Sequence, residues 1–303
     1  SRFPSVLCLQ SLKYAYMPAG MGLWRRAYYE VLVPLSLRQA KRVVVVSRDM
    51  QHRVVDRFPS TADKIRVVYE GVDDEFLQPP DPRAVEKELR RYDIPKPYVL
   101  FVGTLYRHKN VDKLIRAFGL LQSDEMRKLN LVIVGADVEG NLQRLRKLAD
   151  EEAEPGRVRF VGSIPHAQLK ALYCGASAFA FPPAIESFGL PPLEAMACGI
   201  PVVASNRAAI PEVVGDAALV VDPDNVRALA SAIWLACTDL ELRRKLVERG
   251  RQRARYFTWQ RCAAGTVEVL REVARPKQSA RLRAQLGRRA AEHITRGTAA
   301  RLC

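Results

Sequence analysis

No run of apolar residues in this 303-residue chain is long enough to cross a bilayer. No signal peptide opens it, and it begins at Ser1 rather than Met. Histidine is scarce: His52, His108, His166 and His293 stand at no ligand spacing, which argues against a zinc site. The six cysteines, Cys8, Cys174, Cys198, Cys237, Cys262 and Cys303, show neither metal nor redox spacing. Scattered thiols of this kind read as reduced, intracellular and mostly small apolar fillers. No internal repeat is visible, so a repeat architecture is excluded. Acidic residues are outnumbered, and the net charge is +15. The imbalance is steepest over 275–303, which holds eight Lys or Arg against one Glu. That tail lacks interleaved aromatics and any known nucleic-acid module, so no specific nucleic-acid partner is expected. It reads as a solvated, partly helical basic tail. The moderately basic body suits an anionic substrate or an anionic membrane surface.

What is present is an ordinary globular composition, 48% hydrophobic and 27% charged, over a length that favours two domains. Short apolar runs recur at Arg42–Ser47, Lys64–Tyr69, Tyr98–Gly103, Asn130–Gly135, Val158–Gly162, Ala176–Pro182, Pro201–Ser205 and Ala218–Asp222. They are too short for helices, often β-branched, and lack polar alternation, as parallel strands covered on both faces do. Helical patterns lie between them at Val111–Leu121, Leu142–Glu152, His166–Cys174, Pro191–Ala197, Asn225–Leu235 and Leu240–Phe257. The strict alternation predicts an α/β chain with an open, doubly wound parallel sheet, whose ligands bind beyond the carboxyl ends of its strands. Five prolines in Pro79–Pro97 mark a linker containing a short helix. The expected division is therefore 1–78, a linker at 79–96, a main domain at 97–273 and a tail at 274–303. About two strands precede the linker, too few for a complete doubly wound domain.

The segment PPAIESFGLPPLEAMACGIPVVAS, from Pro182 to Ser205, carries the most chemistry. A strand ends, a loop bears Glu186, Ser187, Phe188, Gly189 and Leu190, and Pro191 and Pro192 open a helix. A helix N-terminus attracts phosphate through free N–H groups and its dipole, and Gly189 lets the backbone approach closely. Glu194, eight positions after Glu186, is placed to accept hydrogen bonds from the two hydroxyls of a ribose. Glu186, at the mouth of the loop, is placed to contact a transferred sugar. Taken singly, each residue has a plain structural reading. Together, two carboxylates, a glycine loop and a Pro-Pro helix start exceed what packing requires. A second constellation, VGTLYRHKN at Val102–Asn110, puts Arg107 and Lys109 at another strand end, where cations neutralise a diphosphate. Gly135 and Gly162 each close a strand, either as simple turn glycines or as room for a nucleotide base.

With these residues in place, the chain resembles the retaining, GT-B-fold glycosyltransferases of family 4, the glycosyl transferases group 1. The resemblance runs from about Val6 to Val273 and centres on ESFGLPPLEAMACGIPVVAS, which is similar to the family's Glu–seven residues–Glu motif. VGTLYRHKNVDKLIRAF, VVYEGVD and IPEVVGDAALVVDPDN follow the family in the same order. It implies that Glu186 contacts the reacting face of the transferred sugar and that Glu194 binds the ribose. The backbone of Phe188, Gly189 and Leu190 would hold sugar and phosphate, and Lys109 the diphosphate. Gly103 and Thr104 would line the same site. Thr104 stands where the family often has Arg, and Arg107 would supply that cation from three residues further on. Gln10 and Ser11 replace the family's His-Asp pattern.

The resemblance implies a retaining transfer of a hexose such as mannose or glucose from a nucleoside-diphosphate sugar, with no metal or cofactor. Whether Glu186 is a nucleophile or stabilises charge stays open. Stabilisation is preferred, because the departing phosphate can deprotonate the acceptor. The expected acceptor is lipid-linked or a polysaccharide, in polysaccharide, lipopolysaccharide or glycolipid synthesis. The expected location is cytoplasmic, peripheral at the inner membrane face. Within Tyr14–Tyr29, Tyr14, Tyr16, Met17, Trp24, Tyr28 and Tyr29 read either as a lipid-facing surface or, in preference, as an interdomain or core surface. The last helical stretch, 254–273, is a candidate to return to the first domain. Family acceptor domains are longer, so the chain reads as lacking its N-terminal part, with weak or no turnover expected alone. A sugar-nucleotide epimerase and a non-catalytic nucleotide-sugar-binding remnant are the alternatives. A phosphorylase would need a pyridoxal-binding lysine context that is not seen.

Overall fold

Two parallel sheets carry the fold of the computed structural model, which describes residues 4–12 and 22–274. Tyr14, Tyr16, Met17 and the basic tail after Ala274 lie outside the described residues. The first sheet has the order β1 (Val6–Leu9), β2 (Arg42–Val45), β3 (Ile65–Val67). Helix α1 (Leu23–Gln39) and helix α2 (Arg48–Arg57) belong with it. Three strands thus precede the linker, where about two were expected. The four residues of β1 pair in parallel register with Arg42–Val45 of β2.

The linker region forms a one-turn helix, α3 (Asp74–Leu77), and then α4 (Pro82–Arg91). Asp81 caps α4 by accepting from the Arg83 N–H, and Pro82 opens it. The second unit then alternates as the apolar runs predict: β4 (Tyr98–Val102), α5 (Val111–Gly119), β5 (Asn130–Val134), α6 (Leu142–Glu152), β6 (Val158–Gly162). It continues with α7 (His166–Gly175), β7 (Ala178–Phe181), α8 (Leu190–Ala197), β8 (Val202–Ser205), α9 (Ile210–Val214) and β9 (Leu219–Val221). Helices α10 (Val226–Thr238), α11 (Leu240–Tyr256) and α12 (Trp259–Ala274) close the described chain. All six strands are parallel, in the order β6-β5-β4-β7-β8-β9. β4, β7 and β8 are buried throughout, which is why their sequences carry no polar alternation. Tyr98, Tyr173, Phe101, Phe118, Phe179 and Phe181 are among the largest fully buried side chains.

The order has one consequence for function. From β4 the chain winds outward to β5 and β6, then returns to the other side of β4 for β7, β8 and β9. The loops after β4 and β7 therefore leave neighbouring strands in opposite directions and open a crevice between them.

The expected helical stretches Leu240–Phe257 and 254–273 overlap, and the chain forms two separate helices there, Leu240–Tyr256 and Trp259–Ala274. The helical run breaks at Phe257 and Thr258, because the Phe257 carbonyl accepts the Val72 N–H and the Thr258 hydroxyl caps α12 by accepting from the Arg261 N–H. Helix α12 then returns to the first sheet. Val269 packs with Val44 and Val68, the Glu272 carboxylate pairs with Arg42 and Arg66, and the Lys41 ammonium donates to the Val273 carbonyl. The preferred reading of the Tyr14–Tyr29 aromatics as an interdomain or core surface needs correction at Trp24 and Tyr28. Trp24 is 91% exposed, and Tyr28, Val31, Leu32 and Leu35 continue an exposed stripe at helical spacing. Helix α1 satisfies the core with Tyr29, Val33 and Leu37 instead, so its apolar residues divide between two faces.

Candidate functional site

The crevice between β4 and β7 is where the two motifs meet. After β4 the chain runs through Gly103 and Thr104 into a tight 3-10 turn, Arg107–Lys109. Asn110, at φ 55°, then turns it into α5. After β7 it runs through Pro182 and Glu186 to Gly189 and into α8. Three contacts tie the loops together. The His108 carbonyl accepts the Ala184 N–H at 2.7 Å, the Asn110 amide donates to the Pro182 carbonyl at 2.8 Å, and the Lys109 ammonium pairs with the Glu186 carboxylate. Lys109 also lies 5.0 Å from the centroid of the Phe181 ring, whose face favours a cation. A lysine and a glutamate 77 positions apart thus share one point at the strand ends.

Gly189 has φ 126°, and a Cβ there would stand 2.9 Å from the Ile210 side chain, so the residue before α8 must be glycine. Helix α8 begins at Leu190, one residue before the expected start, so Pro191 and Pro192 occupy its second and third positions. Neither proline has an N–H. Of the donors that a helix start leaves outside its own ladder, those of Gly189 and Leu190 remain to meet an anion. The Phe188 ring does not face the crevice. It is buried against Tyr69 and Phe257, so the residue can serve the site only through its backbone. The Ser187 carbonyl accepts the Ser47 hydroxyl at 2.7 Å.

Glu194, on the first turns of α8, is buried. One carboxylate oxygen accepts the Tyr173 hydroxyl at 2.8 Å, and the other lies 2.9 Å from His166 Nε2. Burial, and secondarily the Glu194 charge, pushes the Tyr173 phenol far above its ordinary range, so it stays a donor. Arg107 is placed differently from Lys109. Its backbone N–H donates to Glu139, and its exposed guanidinium forms no ion pair among the described residues. Gly135 and Gly162 both line a cavity of about 260 Å³, with Leu105, Asp137, Arg146 and Ser163 around them. A Cβ on Gly135 would stand 1.8 Å from the Gly103 carbonyl oxygen, so the ends of β4 and β5 approach only because that residue is glycine. Asp137 caps α6 by accepting from the Asn141 and Leu142 N–H groups.

Residues to which the sequence motifs gave no role join the elements of the first sheet to this site. Ser47 caps α2 by accepting from the Met50 N–H while donating to Ser187. Glu212, from α9, accepts the Arg48 and Asp49 N–H groups at the start of the same helix, and the Tyr69 hydroxyl at 2.7 Å. Burial, then the Glu212 bond, pushes the Tyr69 phenol up to about 12. Glu70, just past β3, has its carboxyl raised by burial and then by the charge of Glu186. A serine directly before Arg48 and Asp49 is a helix-start signal that could have flagged Ser47. Glu212 lies within the IPEVVGDAALVVDPDN motif, but its partners are over 140 positions away, so spacing gave it no role. Among the described residues no group of three or more His, Cys, Asp or Glu side chains is placed to hold a metal ion.

Known proteins match the chain over most of its length. Residues 85–253 match the family model for glycosyl transferases group 1, and residues 2–76 match that for glycosyltransferase family 4. The chain is 33% identical over 247 residues to an O-antigen chain mannosyltransferase B of Escherichia coli, covering 81% of this chain and 64% of that one. It is also 33% identical over 229 residues to a D-inositol 3-phosphate glycosyltransferase of Corynebacterium glutamicum, covering 73% and 55% respectively. The chain therefore spans less than two thirds of the length of these relatives. Among solved structures, Anabaena HepE in complex with UDP and glucose superposes with a TM-score of 0.78 at 21% identity, over 89% of this chain and 72% of that one. Sucrose-phosphate synthase of Thermosynechococcus elongatus does so with 0.73 at 27%, over 88% and 67%. The α/β fold is that of the GT-B glycosyltransferases.

Proposed function

The chain belongs to the glycosyl transferases group 1, and from that premise we propose that it binds a nucleoside-diphosphate sugar in the β4–β7 crevice and transfers the sugar to an acceptor hydroxyl with retention. The observation that carries this reading is the meeting of Lys109, Glu186 and the start of α8 at one point of the sheet. The diphosphate lies against Lys109 and the Gly189 and Leu190 N–H groups, with Arg107 contributing from the rim. A diphosphate there competes with Glu186 for Lys109. Its binding frees the Glu186 carboxylate to face the sugar, where it stabilises positive charge at the reacting carbon. The base enters the cavity of Gly135 and Gly162, and Glu194 takes the ribose. No metal or cofactor is assigned, since cations and N–H groups meet the leaving charge. The transferred sugar is a hexose such as mannose, the sugar that the O-antigen relatives' names specify. The acceptor is a lipid-linked or polysaccharide glycan. The exposed stripe of Trp24, Tyr28 and Leu35, beside Arg25 and Arg26, is the surface assigned to an anionic membrane.

Titration calorimetry with GDP and UDP, followed by a transfer assay with the labelled nucleotide sugar, tests the reading. Binding is expected in the wild type. Glu186→Ala is expected to abolish transfer and leave nucleotide binding in place. Near-wild-type transfer by Glu186→Ala removes that residue from the mechanism. Binding without any transfer by the wild type supports a non-catalytic binding protein instead.

A further inference from the structure

His166, at the start of α7, lies against the Glu194 carboxylate. Its side chain is 55% exposed, yet it is held on three sides. Its ring lies 5.2 Å from that of Phe76, its Nε2 faces Glu194 at 2.9 Å, and its Nδ1 lies 3.7 Å from Asp73. A carboxylate only accepts, so the proton of this contact sits on Nε2. Phe76 and Asp73 flank the connection between the two sheets, and Phe76 also packs edge-on against Tyr173. Two donors from α7, His166 at its start and Tyr173 two turns on, thus grip one carboxylate from α8, one oxygen each.

A carboxylate offers about four lone-pair sites. His166 and Tyr173 occupy two, one per oxygen, and about 9% of the Glu194 side chain remains exposed. Two acceptor sites remain, matched in number to the 2′- and 3′-hydroxyls of a ribose. Tyr173 alone leaves the carboxylate free to swing about its last torsion, because terminal carboxylate torsions are broad. The second donor removes that freedom. We infer that His166 is a positioning residue that locks Glu194 in the orientation that reads a ribose, and so sets the preference for ribonucleotides over deoxyribonucleotides. The inference rests on the ribose role proposed for Glu194.

The test measures affinity by calorimetry for GDP and UDP, and then for the 2′-deoxy form of whichever binds. A hydrogen bond to a charged acceptor corresponds to a preference of about tenfold or more for the ribose form in the wild type. His166→Leu is expected to bring that ratio close to one, while His166→Gln, which retains a donor nitrogen, recovers part of it. In the transfer assay the leucine variant raises the donor KM and leaves kcat unchanged. A wild-type ratio in His166→Leu overturns the inference. The Glu194→Gln variant separates this failure from that of the ribose reading. If Glu194→Gln also keeps the wild-type ratio, Glu194 does not read the ribose at all. If it loses the ratio while His166→Leu keeps it, only the role of His166 falls.

Discussion

Replacing Glu212 by glutamine isolates the contact between the two sheets. The Glu212 carboxylate accepts the Arg48 N–H at 2.9 Å, the Asp49 N–H at 3.2 Å and the Tyr69 hydroxyl at 2.7 Å. Glutamine keeps one acceptor oxygen and turns an amide NH₂ toward donors that it cannot satisfy. At least one hydrogen bond to a charged acceptor is lost, worth about 1.5–3 kcal/mol. The favourable charge at the start of α2 goes with it, about 0.3–1 kcal/mol. Part returns because Glu212 is half-buried and its donors regain some water, so the net loss is about 2 kcal/mol. Helix α2 does not unravel, since Ser47 still caps it through the Met50 N–H at 3.0 Å. For a chain of this size that loss lowers Tm by about 3 °C. Thermal unfolding of wild type, Glu212→Gln, Tyr69→Phe and the double variant forms a cycle, with an expected coupling of about 1 kcal/mol between the two sites. An unchanged Tm in Glu212→Gln, or strict additivity with Tyr69→Phe, would refute the reasoning.

Three further outcomes follow from the same structure. The Arg42 hydrogen bond, with Arg66 beside it, holds the Glu272 carboxyl at about 2 instead of 4.5. The stability it lends to α12 is complete above pH 4.5 and is lost as pH falls toward 2; Glu272→Gln should flatten that acid limb of the Tm–pH curve, and an unchanged limb refutes it. Glu70 is the opposite case: burial, then Glu186, raises its carboxyl, so folding loses stability as pH rises through the ordinary carboxylate range. Glu70→Gln should therefore unfold at or above the wild-type Tm at neutral pH, and a lower Tm sinks that account. Gly135→Ala drives a methyl into the Gly103 carbonyl and should cost about 1–3 kcal/mol while weakening nucleotide binding. Wild-type values for both would show that the two strand ends can separate freely.

The order of elements was legible along the chain because a strand covered on both faces must be an unbroken apolar run, and a helix must repeat its apolar stripe. The runs at Tyr98–Gly103, Asn130–Gly135 and Ala176–Pro182 are three of the four inner strands of the larger sheet, each trimmed by one to three residues. The short strand Val6–Leu9 was not singled out, although VLCL is an apolar run like those of the other strands. The helix end at Phe257 was marked in the pattern, but not the start of a separate helix at Trp259, which follows a carbonyl taken by Val72 from far up the chain. At the candidate site, residue type and spacing singled out Lys109, Glu186, Gly189 and Glu194, since a loop feeding a Pro-started helix is a local feature. Their arrangement was not local. The return of the chain past β4 set the Lys109 and Glu186 loops side by side, and the meeting of α7 with α8 gave Glu194 its two donors. Glu212 and Ser47 entered the site only through the pairing of two sheets. Spacing reports what one segment can form; which segments share a crevice depends on strand order and packing, to which each short stretch of sequence contributes too little to be read alone.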